Sequence, residues 1–143
     1  MKFVFWAHVF SCWLMVGVIW VVQLLLYPFF KRIGENEFAA LHEFHMNKIT
    51  WIVAPLMVVE LASALGLFWC ETDFIFFWNL ISVIMIWLLT VFWNVPTHTH
   101  LNFKSGESKK NLVSRNWPRT FIWSLRAVFL FLMIVSRRVV EFM

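Results

Sequence analysis

Four histidines stand in two short pairs, His42-x-x-His45 and His98-x-His100. On a helix, positions three apart lie on neighbouring turns of one face, so the first pair can share a single metal ion. The second pair follows Pro96, where the backbone leaves regular helix. Neutral imidazole suits a transition metal such as iron, copper or zinc, and Glu43, Glu60 or water could complete the shell. Haem held by His42 and His98 is a variant of the same idea. Against this stands a plainer reading, because interfacial histidines are amphipathic and those at a helix C-terminus interact favourably with its dipole.

A second set of polar residues falls inside apolar sequence. Eighteen positions separate His42 from Glu60, which at about 100° per residue returns to the same azimuth, and Arg119 and Arg126 nearly superimpose with Trp123 beside them. Gln23 and Tyr27 are four apart, as are Asn94 and His98, so each helix can offer one polar stripe. Glu60 is expected roughly 16 Å into its span and Arg126 roughly 13 Å from Trp117, both near mid-membrane. Charges in hydrocarbon are costly and pair with one another, so a buried Glu60 to Arg126 contact is expected.

The elements that must position these groups follow from composition. The chain has 143 residues, 62% hydrophobic, 20% aromatic and only 14% charged, with a mean hydropathy of +0.76. Such a balance marks a membrane protein. Apolar runs of about 20 residues span a bilayer core, and four are present: Phe3 to Phe30, Ile49 to Trp69, Phe74 to Pro96 and Trp117 to Ser136. The first is too long for a signal-peptide core and lacks a small-residue cleavage site. The expected fold is all-α, a single integral membrane four-helix bundle over residues 1–143, connected up-down-up-down. Its second helix should start near Asn36, giving an amphipathic lead-in that carries His42 and His45. Between spans three and four, Thr97 to Asn116 reads as the longest and most polar loop.

Charge sets the orientation. The end shared by the first and third interhelical loops collects Lys31, Arg32, Lys48, Lys104, Lys109, Lys110, Arg115 and Arg119, against Lys2, Arg137 and Arg138 at the other. By the positive-inside rule the His-bearing end is cytoplasmic and both termini lie outside, in a plasma or inner membrane. The net charge of +4 is thus orientation and attraction to anionic lipid rather than a nucleic-acid footprint. Most of the ten Trp, including Trp6, Trp51, Trp69, Trp93 and Trp117, read as interfacial anchors and packing. His8 reads as a packed or interfacial histidine near the opposite end. Cys12 and Cys70 are too few and too dispersed for a thiolate cluster, no Gly-rich phosphate loop exists, and no Ser/His/Asp order stands out.

The stretch Asn94-Val95-Pro96, followed by Asn116-Trp117-Pro118-Arg119-Thr120 with Trp123 and Arg126, resembles the family of small four-helix membrane proteins, of largely unknown function, that includes the anthrone oxygenases. Gln23 with Tyr27-Pro28, and Pro55 to Glu60, are also similar to positions of that family, whereas the histidine pairs are not part of its general pattern. The resemblance implies a membrane-embedded pocket for a hydrophobic substrate, oxidised by dioxygen. Three functions remain open. One is a metal-dependent oxidoreductase or oxygenase acting on a quinone-like or polycyclic phenolic molecule, with His42, His45, His98 and His100 as metal ligands, Glu60, Arg126 and Asn94 as catalytic groups, and Gln23, Tyr27, Trp117 and Arg119 around the substrate or cofactor. Another is a metal-binding or metal-transport subunit, which needs a homo-oligomer to form a conduit. The last is a non-catalytic scaffold or assembly factor.

Overall fold

The structure is a computed structural model that describes residues 1–94 and 106–136. All its regular structure is helical among those residues. Helix α1 (Lys2–Val21) passes through a π-wound turn (Val22–Leu26) into α2 (Tyr27–Arg32), forming one rod. After Ile33 and Gly34 comes α3 (Glu35–Cys70), then α4 (Phe74–Leu88), which a second π-wound turn (Leu89–Asn94) prolongs, and finally α5 (Gly106–Val135).

Both π turns lie just upstream of a proline. Pro28 has no N–H to give to the carbonyl of Leu24, and the neighbouring Tyr27 N–H bonds Val22 O, five residues back. The second turn likewise ends two residues before Pro96. At 36 residues, α3 is about 54 Å long, well beyond the roughly 30 Å of a bilayer core. Its first turns therefore form the expected lead-in carrying His42 and His45. The loop expected from Thr97 to Asn116 is shorter than its polarity suggested, because α5 already starts at Gly106. Lys109, Lys110 and Glu107 are good helix formers, and a polar helix is as stable in water as a loop.

Four helices are long and apolar enough to cross a membrane: Lys2–Arg32, Asn36–Cys70, Phe74–Phe92 and Val113–Val135. They pack in a ring: α1 lies against α3 and α5, and α4 lies against the same two. The α3 and α5 backbones face each other across the diagonal. A core of Phe5, Val9, Cys12, Met15, Met57, Leu67, Ile86, Trp123 and Leu130 fills the centre, and Tyr27, Phe30 and Phe38 form a smaller one beneath α2. Outside, Phe3, Phe10, Trp51, Trp69, Phe74, Phe92 and Phe121 are all exposed. The ring is therefore apolar on both faces, with its polar side chains gathered at the diagonal.

Candidate functional site

Two polar assemblies occupy the interior, and Trp123 joins them. The first is a fully buried network to which all four spans contribute. Arg126 of α5 donates through Nη1 to Glu60 Oε1 of α3, and through Nη2 to Asn79 Oδ1 of α4 at 3.3 Å and to His8 Nε2 of α1 at 3.2 Å. Asn79 Nδ2 lies 3.0 Å from the same His8 nitrogen, and His8 Nδ1 lies 2.9 Å from Ser63 Oγ. The Ser63 hydroxyl donates to Val59 O at 2.7 Å, so both His8 nitrogens are paired when His8 carries its proton on Nδ1, while Arg126 Nε is buried without a partner. Trp123 Nε1 donates to Glu60 Oε2 at 3.0 Å, which leaves both carboxylate oxygens engaged. Only long side chains reach across the α3–α5 diagonal, which explains why an Arg and a Glu stand there.

The Glu60 to Arg126 pairing follows the depth argument made from sequence, and of the two readings of His8, packed or interfacial, the structure shows the packed one. His8 is buried at the heart of the network. Lying seven residues into α1, it is about 10 Å along the helix from its start. The signal available was Ser63, three positions after Glu60, together with Asn79, an amide alone in an apolar run. Both are polar groups that a helix in lipid must satisfy from its neighbours.

The second assembly is a cavity of about 290 Å³ between α1, α3, the end of α4 and α5. Met15, Ile19, Val22, Ile49, Val53 and Met57 give it apolar walls, and Tyr27, His45, Thr90, Asn116, Arg119 and Trp87 give it polar ones. Gln23 lies behind the wall and fixes the Asn116 amide: Asn116 Nδ2 donates to Gln23 Oε1 at 2.8 Å, and Gln23 Nε2 donates to Val113 O at 3.2 Å. The other Asn116 atom, Oδ1, is buried without a hydrogen-bond partner, as are Trp87 Nε1 and Arg119 Nε. Buried polar atoms are almost always paired, so three orphans on cavity-lining residues, one from α4 and two from α5, are unusual, and Arg126 Nε in the network is a fourth. Arg119 is 9% exposed, and its guanidinium lies over the Trp123 ring at 5.3 Å. Trp123 thus carries the cavity's cation on its face while its N–H holds Glu60.

The remaining candidates distribute unevenly. His45 lines the cavity, whereas His42 is buried between Phe30 and Phe38, with ring centroids at 6.0 Å and 5.5 Å. Trp117 faces outward and meets Trp20 edge to face at 5.9 Å, away from the cavity wall. His98 and His100 lie outside the described residues, as does the Asn94 side chain. Among the described residues no three His, Cys, Asp or Glu side chains gather to hold a metal. Comparison with family models, curated proteins and solved structures finds no match to this chain.

Proposed function

We propose that the chain is a membrane-embedded oxidoreductase whose cavity binds a hydrophobic, oxygen-bearing aromatic molecule of the quinone or polycyclic phenol class. The carrying observation is the cavity wall: apolar surface for a ring system, and beside it Arg119, Asn116 and Trp87 with polar atoms left unpaired. A ligand offering oxygen acceptors to the two N–H groups and a hydroxyl to Asn116 Oδ1 would satisfy all three. The redox step rests on the resemblance to the anthrone oxygenase family, and a metal held by His42, His45, His98 and His100 is part of the same proposal. In that arrangement His45 is a ligand that also lines the cavity.

The ion-transport alternative draws less support, because Glu60 has both oxygens committed to Arg126 and Trp123 and offers no lone carboxylate to a passing cation. A scaffold would have no use for three orphaned groups around a cavity. The apolar exterior supports insertion in a bilayer with the His-bearing end cytoplasmic. The test is direct. Protein purified in mild detergent is titrated with 1,8-dihydroxyanthraquinone and assayed for redox turnover of added quinones and phenols, with metal content measured alongside. Saturable binding abolished by Arg119→Gln supports the site. Stoichiometric metal, lost in both His42→Ala and His98→Ala, supports the ligand set. Absence of binding and of turnover for every probe leaves the scaffold reading.

A further inference from the structure

From the way the cavity meets the outer surface, we infer that its ligand is loaded sideways from the lipid, through a gap between α3 and the π-wound end of the third span. The inference rests on the reading of the cavity as a ligand site. Three of its lining residues, Thr50 and Ala54 of α3 and Val91 of the π turn, are also exposed on the outside of the ring. The cavity therefore reaches the lipid-facing surface at that seam. The helix contacts agree: α3 packs along α4 but barely touches the π turn that prolongs it, while α5 packs against both. Where the third span changes winding it stays with α5 and parts from α3.

The chemistry of the gap suits a greasy passenger. The Thr50 hydroxyl donates to Met46 O at 2.7 Å and the Thr90 hydroxyl to Ile86 O at 2.8 Å, so both threonines have their polar atoms bonded within their own helices. With Ala54, Val53 and Val91 they make a threshold on which no side-chain polar group has to be stripped of water. Pro55, next to Ala54, has no N–H for the carbonyl of Trp51, which removes one rung of the α3 ladder beside the gap. Asn116 and Arg119 lie on the α5 wall, farther round the ring. A molecule dissolved in the bilayer would cross an apolar threshold first and meet Arg119 and Asn116 after it. This narrows the ligand to compounds that partition into membranes, and the cavity need not admit water-borne ones.

The experiment uses the full chain in lipid nanodiscs and 1,8-dihydroxyanthraquinone, followed by its visible absorption in stopped flow. Ala54→Trp and Val91→Trp place a bulky apolar group on the threshold at outward positions where packing is spared; Leu65→Trp, exposed elsewhere on α3, is the control. A barrier on the path raises the transition state for both directions, so association and dissociation should each slow by roughly tenfold, a larger factor than any change in Kd at these positions, which line the cavity mouth. Rates equal to the Leu65→Trp control overturn the lateral route and leave the site standing. A weaker Kd with an unchanged association rate shows the new side chain occupying the cavity, which also overturns the route. Failure of the wild type to bind, or binding indifferent to Arg119→Gln, overturns the site itself and the route with it.

Discussion

At the scale of single residues, the interior contrasts a closed network with an open one. Glu60 is held by Arg126 and Trp123, and Arg126 in turn by His8 and Asn79, so removing one member strands the others. Glu60→Gln is expected to cost on the order of 3–5 kcal/mol, because it leaves a buried guanidinium without its counter-charge. Replacing both partners, as in Glu60→Leu with Arg126→Leu, should cost clearly less than the single change, since no charge then remains to be desolvated. Unfolding of both variants in detergent decides this; a Glu60→Gln change that leaves the melting temperature untouched would refute the pair. Around the cavity Asn116 Oδ1, Trp87 Nε1 and Arg119 Nε have no hydrogen-bond partner, and the proposed ligand would supply one to each. Gln23→Leu releases the Asn116 amide, whose stabilisation by that bond is only about 1 kcal/mol. The fold should survive while affinity for the anthraquinone probe falls, read by titration beside circular dichroism. Equal affinity in the variant would show that the fixed amide contributes nothing to recognition.

Among the elements, the π turns matter more than the long helices, because they aim the cavity wall. Restoring an N–H with Pro28→Ala lets the first span recover regular winding, and removing the extra residue of the turn rotates the segments on either side by about 100° relative to each other. Gln23 and Tyr27 then cannot both hold their places. Helix content should stay level by circular dichroism while probe binding is lost; retained binding would mean the proline and not the winding is what the site tolerates. Elements of this kind also mark how far sequence reading reaches. Four apolar runs gave the spans, because twenty consecutive apolar residues have one economical use, and Glu60 and Arg126 found each other because charge at mid-membrane is so costly. The α5 extension to Gly106 was hidden by equating polarity with loop. His8 was hidden by treating one histidine in an apolar run as local, when its partners Ser63 and Asn79 are 55 and 71 positions away in sequence. A pocket was expected from the family resemblance, and Tyr27 and Arg119 of the residues named for it do line the cavity; its remaining walls were not legible, since they depend on where packing fails, and residue types report only where it succeeds.

For the whole molecule, the consequential question is which way the ring sits in a bilayer. An exterior of exposed Phe, Trp and Leu side chains on four helices long and apolar enough to cross a membrane is consistent with a bilayer, since leaving apolar area in water costs about 25 cal/mol per Å². Orientation then follows from where the basic residues collect, and the two cysteines make it measurable without altering the chain. Cys70 is exposed at the end of α3, in the short connector to α4, whereas Cys12 is buried within α1. If Lys31, Arg32 and Lys48 mark the cytoplasmic end, Cys70 belongs to the opposite face. A membrane-impermeant maleimide applied to intact cells that expose this membrane directly should label one cysteine, and Cys70→Ser should abolish the signal. Labelling that appears only after permeabilisation would invert the orientation, place the His42 and His45 end outside, and move any metal at that end out of the cytoplasmic pool from which it would otherwise be drawn.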